Sequence, residues 1–357
     1  MASYPRLPLA STGVERLTLI DARAADRPET GGVERWAREL AVRLPQIRPS
    51  AYEIASPGAR FSHRAGQLWE QGVLPLHARR RQAGAILCPA NLAPLASSIN
   101  VVVVHDVAPL RFPNDFSRAY TAWQRFLLPR ISSRALKVIV PSEFSKSELV
   151  SVCGVDPAKI EVVYPGVPDD VLRGGDVEAV RDKYGLTRPY VLTVASKVPR
   201  KNLGALGPLA KEFEEIGVDV VAVGGTRPHL GASNQEQGIV RELGPVPSSD
   251  LPSLYQAASV FVLPSRYEGF GLPVCEAMAA GVPVVTTTAA SLPEAAGGAA
   301  LLVDPDDQAG LVEASRAALL DDQLRSDLIL KGRTRVEGMT WDATARRVDE
   351  VVKSALS

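Results

Sequence analysis

The chain has 357 residues, of which 46% are hydrophobic, and its 40 Lys and Arg residues balance its 40 Asp and Glu residues. This length exceeds that of one typical domain, so we expect two domains, each with a substantial core. The neutral overall charge and the absence of a nucleic-acid-binding motif disfavour a nucleic acid as partner.

Short apolar runs alternate with helical patterns along the first half of the chain. Helices are expected over residues 33–44 and 120–134, and strands over residues 17–20, 51–54, 85–87, 101–104, 138–140 and 162–164. Continuous β-branched runs such as residues 101–104 are typical of strands that are covered on both faces, and hence of a parallel sheet.

A second series of strands follows the block Pro165-Gly166-Val167-Pro168, which indicates a hinge or linker. These strands are expected over residues 190–194, 218–223, 260–263, 282–285 and 300–303. The pattern predicts an α/β fold of two facing, Rossmann-like, doubly wound domains. We place the first domain at residues 1–168 and the second at residues 169–338. A C-terminal helix within residues 339–357 could close the second domain or cross back onto the first.

The spacing of cysteines and histidines predicts neither a disulfide framework nor a metal site, because the three cysteines and four histidines are scattered. Residues 1–11 contain two prolines and lack the long apolar core of a signal peptide. No run approaches the roughly 20 apolar residues of a membrane span. The sequence therefore predicts a soluble, cytoplasmic protein without a metal ion or other cofactor.

Residues 261–287 contain the clearest candidate site. An apolar strand leads into the loop Glu268-Gly269-Phe270-Gly271-Leu272, and a short helix and a second strand follow. Glycines leave backbone amides accessible, and the start of a helix offers further N–H donors, so this loop suits an anion. The Glu268 carboxylate suits sugar hydroxyls. Glu276, in about the first turn of the helix, could bind a ribose diol or simply stabilise the helix.

Two glutamates eight positions apart within PSRYEGFGLPVCEAMAAGVPVV (264–285) resemble the donor site of the retaining GT-B glycosyltransferases, and more narrowly of glycosyltransferase family four. The resemblance extends to HDVAPLRFP at 105–113, VPSEFSKSEL at 140–149 and TVASKVPRKNL at 193–203. It therefore spans most of the chain. It implies two facing Rossmann-like domains, with the second holding a nucleotide-sugar donor.

The resemblance assigns roles to the residues of the loop at 268–272 and of the helix after it. It implies that Glu268 contacts the hydroxyls of the donor sugar and takes part in catalysis, and that Glu276 binds the ribose. The backbone amides of the intervening loop would contact the sugar and the diphosphate. The predicted donor-binding residues therefore include Gly269, Phe270, Gly271 and Leu272.

The remaining donor contacts follow from the same resemblance. The backbone near Val246 would meet the nucleobase, and Arg200 and Lys201 would neutralise the diphosphate, whose charge grows as it leaves. From the residues alone, this basic pair is more typical of a solvated surface than of a phosphate site. Many family members carry Arg at the position of Ser196, so we expect Arg200 to supply the missing charge.

The first domain supplies further candidates. Gly31 and Gly32 precede a helix, where a glycine pair forms a simple turn or lets backbone amides approach a phosphate or the acceptor. The family has a glycine-rich loop here, which favours binding. His105 follows the strand at 101–104. A lone His there is often structural, but the family places a functional His at this strand end, so the resemblance implies a catalytic role for His105.

Basic residues are concentrated in the first half of the chain. Residues 1–165 hold 21 Lys and Arg against 14 Asp and Glu, whereas the remainder holds 19 against 26. Six basic residues lie over 111–137, interspersed with the apolar residues Trp123, Phe126, Leu127 and Leu128, and Arg79-Arg80-Arg81 adds further charge. Such a basic, aromatic face is typical of contact with an anionic membrane, although a core helix with a solvated basic side shows the same pattern.

Together these features predict a metal-independent, retaining hexosyltransferase. It would move mannose or a related sugar from a nucleotide donor, with GDP-mannose favoured, to a hydroxyl of a glycan or lipid-linked acceptor. It would serve the assembly of cell-surface polysaccharide or glycolipid, with a possible position at the inner face of the membrane. A sugar-nucleotide epimerase, a nucleotide-sugar sensor and a Rossmann-type NAD(P) oxidoreductase stay open as alternatives, although no GxGxxG follows the first strand.

Overall fold

The computed structural model describes residues 16–27, 31–58, 64–225 and 239–357. Two six-stranded sheets lie at the centre of this part of the chain, and every strand pair within them is parallel. Helices pack on the faces of both sheets. The prediction of an α/β fold with two doubly wound halves is therefore confirmed.

The first sheet is built from β1 (Thr18–Asp21), β2 (Tyr52–Ala55), β3 (Ala85–Cys88), β4 (Asn100–Val103), β5 (Lys137–Val140) and β6 (Ile160–Val162). Their order across the sheet is β2-β1-β3-β4-β5-β6. β1, β3 and β4 are buried at every position because both faces are covered. The order reverses between β1 and β3, and such a reversal opens a crevice at the carboxyl ends of the strands.

Among the described residues, the helices between these strands are α1 (Gly32–Ile47), α2 (Arg64–Leu68), α3 (Leu74–Arg80), α4 (Ala108–Arg111), α5 (Arg118–Arg134) and α6 (Glu143–Cys153). α1 packs on one face through Trp36, Leu40 and Leu44, which recur at helical spacing. α3, α5 and α6 pack on the opposite face. There Leu127 and Leu128 of α5 are buried in the core, so they do not belong to the exposed basic face that the sequence indicated.

The second sheet is built from β7 (Tyr190–Val194), β8 (Asp219–Val223), β9 (Arg241–Gly244), β10 (Val260–Leu263), β11 (Val284–Thr287) and β12 (Leu301–Val303). Its helices are α7 (Asp169–Arg173), α8 (Val177–Tyr184), α9 (Leu206–Glu215), α10 (Leu251–Gln256), α11 (Leu272–Ala279), α12 (Leu292–Ala296), α13 (Gln308–Leu320) and α14 (Asp322–Val336). The order β12-β11-β10-β7-β8-β9 is that of dinucleotide-binding folds. It reverses between β7 and β10.

Every strand expected from the sequence overlaps a strand of the structure. The largest displacements are two residues, at β6 and β11. β9 was not expected, because its sequence Arg-Glu-Leu-Gly contains no apolar run. It lies at the edge of the sheet, partly exposed, where burial does not select for such a run.

The last helix, α15 (Trp341–Leu356), lies against the first sheet beside α1. Trp341 is fully buried and meets Trp36 edge-on, with ring centroids 5.5 Å apart. Val167 pairs with Thr340 just before the helix. A Cβ on Gly166 would lie 2.2 Å from the backbone nitrogen of Trp341, so the two connections can cross only at a glycine. The end of the chain is thereby tied to the first sheet.

Candidate active site

The loop after β10 lies at the carboxyl edge of the second sheet. Gly271 adopts a φ of +100°, which favours glycine, and α11 begins at the next residue with Pro273 in its first turn. Glu276 is in the second turn of α11 rather than the first. The Phe270 side chain is buried against Tyr164, with ring centroids 5.5 Å apart, so only its backbone can face a ligand.

Glu268 forms an ion pair in the centre of this loop. Lys201 Nζ lies 2.6 Å from both carboxylate oxygens, and Ser265 Oγ donates to Oε1 at 2.7 Å. The Lys201 and Glu268 side chains are only 13% and 12% exposed. Burial lowers the pKa of Lys201, and the Glu268 carboxylate offsets part of that effect. The structure thus brings Lys201 and Glu268, two of the residues predicted to contact the sugar donor, together where little water reaches them.

Gly269 touches the first domain directly. Its carbonyl oxygen accepts hydrogen bonds from Ser142 Oγ at 2.6 Å and Ser145 Oγ at 2.9 Å. A Cβ at this glycine would lie 2.1 Å from the carbonyl oxygen of His105. The carboxyl edges of the two sheets therefore face each other across a backbone contact that only glycine permits.

The ring of His105 has structural partners. Its Nε2 lies 2.8 Å from the carbonyl oxygen of Pro89, and its ring meets Trp36 edge-on at 5.6 Å. A carbonyl oxygen can only accept, so Nε2 carries the proton. Burial lowers the pKa of His105, which keeps the ring neutral at pH 7. The part of His105 that meets the Glu268 loop is its backbone carbonyl.

Glu276 is held by both halves of the chain. Arg35 of α1 donates to Oε1, and the hydroxyl of Tyr255 donates to Oε2 at 2.8 Å. Both oxygens of the carboxylate predicted to bind ribose therefore already have protein partners. Sequence reasoning missed both partners.

The glycine pair of the first domain lies at the start of α1. Gly31 caps the helix, and its amide donates to Glu34 Oε2 at 3.2 Å. A Cβ on Gly32 would meet no atom within 4 Å, so the approach to that backbone is open. Thr30, which precedes the pair, lies outside the described residues.

Arg200 and Lys201, the residues predicted to contact the diphosphate, pair with different carboxylates. Arg200 Nη1 lies 3.4 Å from Asp115 Oδ2 of the first domain, and its guanidinium lies over the ring of Phe116 at 5.3 Å. Ser196 follows β7 and is partly buried. The structure therefore places Arg200 on a carboxylate of the opposite domain, a contact that the sequence gave no reason to expect.

A cleft of about 300 Å³ opens to solvent between the two halves of the chain. It is lined by Arg35, Arg38, Glu39, Pro168, Asp169, Asp170, Arg173 and Ser248. Ser248 lies two residues after Val246, which packs beside the core of the second sheet. The cleft therefore adjoins both Glu276, through Arg35, and the segment predicted to meet the nucleobase. Its size is within the range of ligand pockets.

A buried charge cluster at the β1–β3 crevice was also missed. Arg23 pairs with Glu70, both almost fully buried, and its backbone amide donates to Asp21 at 2.9 Å. Burial, together with the nearby Glu70 charge, raises the pKa of Asp21 to about 7. The sequence did show that Asp21 directly follows a predicted strand, and a carboxylate in that position was a sign of a possible site. Glu70 lies in a short π-helical turn with no sequence pattern.

The described residues contain neither a metal-binding cluster nor a membrane-spanning helix. No group of three or more His, Cys, Asp or Glu side chains is placed to hold a metal ion. No helix in this part of the chain has the length and apolar content needed to cross a bilayer.

Solved structures match this fold over nearly their whole length. Sucrose-phosphate synthase from Thermosynechococcus elongatus superposes with a TM-score of 0.72, over 95% of this chain and 98% of that one, at 18% identity. HepE of Anabaena in complex with UDP-glucose gives a TM-score of 0.70, over 95% and 99%, at 18% identity. The fold is therefore that of the GT-B glycosyltransferases.

Sequence comparison narrows the class. The model of glycosyltransferase family 4 matches residues 86–171, and that of the glycosyl transferases group 1 matches residues 188–321. O-antigen chain mannosyltransferase B of Escherichia coli is 30% identical over 257 residues, which are 68% of this chain and 67% of that protein. The chain belongs to the family 4, group 1 glycosyltransferases.

A second relative is less fully covered. D-inositol 3-phosphate glycosyltransferase 1 of Catenulispora acidiphila is 30% identical over 247 residues, which are 63% of this chain and 59% of that protein. The chain thus spans between about one third and two thirds of the length of the curated relatives that it matches.

We expect the substitution Gly269→Ala to force the two domains apart, because the added Cβ would clash with the backbone of His105. Small-angle X-ray scattering should give a larger radius of gyration than for the wild type, and Tm should fall. Gly207→Ala in α9 is the control, since a Cβ there meets no atom within 4 Å. Unchanged scattering and Tm in Gly269→Ala would contradict the docking described above.

Proposed function

We propose that this glycosyltransferase moves a hexose, with mannose favoured, from a nucleoside diphosphate donor to an acceptor hydroxyl and retains the anomeric configuration. The observation that carries the proposal is the Lys201–Glu268 ion pair. It lies nearly buried at the carboxyl edge of the second sheet, opposite the first domain. Ligands of open α/β sheets bind at this edge.

The chain's own groups suffice for the proposed step. Glu268 accepts hydrogen bonds from the sugar hydroxyls, and Lys201 stabilises the charge that grows on the leaving diphosphate, together with the amides of residues 269–272. The acceptor oxygen bonds to the anomeric carbon on the face from which the diphosphate departs. The acceptor proton passes to a phosphate oxygen of the leaving group, so no protein nucleophile is required.

The donor and the pathway are proposed from the relatives. The name of the Escherichia coli relative supports mannose as the sugar and cell-surface polysaccharide or glycolipid assembly as the setting. The HepE structure contains UDP-glucose, so the fold alone does not select the base. We propose GDP-mannose as donor and a glycan or lipid-linked acceptor, with no metal ion or other cofactor.

The donor proposal is tested with a panel of nucleoside diphosphates and their sugars in thermal unfolding. A ligand that binds the folded state alone stabilises it by about 2.7 kcal/mol at one hundred times its Kd. GDP and GDP-mannose should raise Tm more than UDP, ADP and their sugars do. NMR of the product should show the anomeric configuration of the donor. An inverted product, or conversion of the donor to an epimer without any acceptor, would refute the proposal.

Substitution of either member of the ion pair should nearly abolish transfer. We expect Glu268→Gln and Lys201→Met each to lower kcat between about one hundred- and one thousand-fold, the usual effect of removing one group that stabilises a transition state. The exposed pair Lys197–Glu242 of the same domain supplies the control Glu242→Gln, which should retain activity. Full transfer by either site variant, with folding verified by circular dichroism, would exclude this site.

We also propose that the first domain contacts an anionic membrane surface at the cytoplasmic face. α3 and α5 cover the same face of the first sheet. Beyond the core, α3 and α5 expose the large apolar side chains of Leu76, Trp123 and Phe126, and the helical turns just before α3 expose Leu68 and Val73. Arg79 and Arg80 of α3 and Arg118 and Arg125 of α5 are exposed as well. Arg111 and Lys137 pair with Glu148 and Glu161, so they add little free charge.

Vesicle binding tests this surface. Phosphatidylcholine vesicles containing phosphatidylglycerol should bind the protein, and pure phosphatidylcholine vesicles should bind it weakly. Replacing Arg118 and Arg125 with Gln should weaken binding about thirtyfold, since each arginine near an anionic surface contributes about 1 kcal/mol. Leu330→Ala, which alters an exposed apolar residue of α14, is the control. Binding that is insensitive to salt and to the anionic lipid would exclude the surface.

A further inference from the structure

Arg35 reaches from the first domain into the donor side of the cleft. Its guanidinium holds Glu276 Oε1, and Tyr255 holds Oε2. The side chains of Arg35 and Glu276 are 17% and 6% exposed, so the pair is largely out of water. The carboxylate of Glu276 is the group predicted to bind the ribose, and both of its oxygens thus already accept hydrogen bonds from protein donors.

A ribose diol can bind Glu276 only if Arg35 moves. The guanidinium stays charged at any pH, and a charge left unpaired out of water costs several kcal/mol. Arg35 therefore needs another anion within reach. It lies one turn after Gly31 in α1, so its backbone is fixed and only its side chain can swing. In a nucleoside diphosphate, the anion attached to the same ribose ring is the diphosphate.

The diphosphate needs such a cation. Arg200 is held by Asp115 of the first domain and lies over Phe116. Lys201 is shared with Glu268. In the described part of the cleft, the arginine nearest to the proposed ribose position is Arg35, and its planar guanidinium can bind two phosphate oxygens at once.

We propose that Arg35 is a diphosphate-binding residue contributed by the first domain, and that it passes from Glu276 to the phosphate next to the ribose when the nucleotide binds. This inference rests on the proposed function, because it requires a nucleoside diphosphate donor. Binding then exchanges one ion pair for another. The side chain that joins the two domains through Glu276 then joins them through the donor diphosphate.

Calorimetric titration of Arg35→Met with GDP, UDP, guanosine and uridine tests the exchange. The affinity for the preferred nucleoside diphosphate should fall at least about tenfold, because a charge-assisted contact is lost. The affinity for the matching nucleoside should stay the same or rise, since Glu276 no longer has to release Arg35. Arg48→Met is the matched control. Arg48 directly follows the last residue of the same helix and pairs with Asp349, in a similarly buried ion pair whose members do not line the cleft, so its loss should leave both affinities unchanged.

Two results would overturn the inference: undiminished binding of the diphosphate by Arg35→Met, or equal losses for nucleoside and diphosphate. Arg35→Lys keeps the charge without the planar fork and should give an intermediate affinity for the diphosphate alone. It also provides a second variant if Arg35→Met does not fold. A wild-type protein that binds none of the diphosphates would instead refute the proposed function, so the two failures are distinguishable.

Discussion

The carbonyl oxygen of Gly269 is the point at which the two domains are fixed to one another. It accepts hydrogen bonds from two hydroxyls of the first domain, Ser142 and Ser145, while the same glycine packs against the carbonyl of His105. Backbone atoms cannot change rotamer. The contact therefore sets the distance between the Glu268 loop and the edge of β4, and the geometry of the cleft depends on it.

Neighbouring contacts make this side of the cleft rigid. Tyr267 packs between Phe112 and Phe144 of the first domain, with ring centroids 5.1 Å and 5.5 Å away. The carboxylate of Glu294 accepts from the amides of Glu143 and Phe144 at the start of α6, at 2.8 Å and 3.2 Å. A carboxylate at a helix N-terminus is favoured by the helix dipole. The second domain thus caps a helix of the first, and the Glu268 loop is held from both sides.

Local sequence patterns predicted the structural features that depend on residues close together in the chain. The strands followed from apolar runs, and the loop with Glu268 and the following helix followed from glycine, proline and helical spacing. Contacts between distant residues had no such signal: Arg35 and Glu276 are 241 positions apart, and Arg200 and Asp115 are 85 apart. Nothing in a single sequence states which carboxylate an arginine will meet. The same holds for His105, where the strand end was predictable but the partner of its ring was not.

The two domains are also joined by ion pairs, which differ in kind from the backbone contact. Arg35 with Glu276 and Arg200 with Asp115 each join the two domains, whereas Lys201 with Glu268 lies within the second domain. Removing one partner of a buried pair costs about 3–5 kcal/mol, whereas replacing it with another anion preserves most of the interaction. Under the proposed function, the donor diphosphate enters by such replacement.

That exchange has a consequence for the end of the reaction. Charge on the diphosphate increases when the sugar leaves, and a cation with no alternative partner would hold the product tightly. Under the proposed function, Glu276 competes with the diphosphate for Arg35, so this carboxylate offers Arg35 a route back to the Arg35–Glu276 pair. Net affinity for the nucleotide must then come largely from contacts other than this exchange, such as those to the base. Glu276 would thus hold Arg35 in place before the donor binds and favour release of the product afterwards.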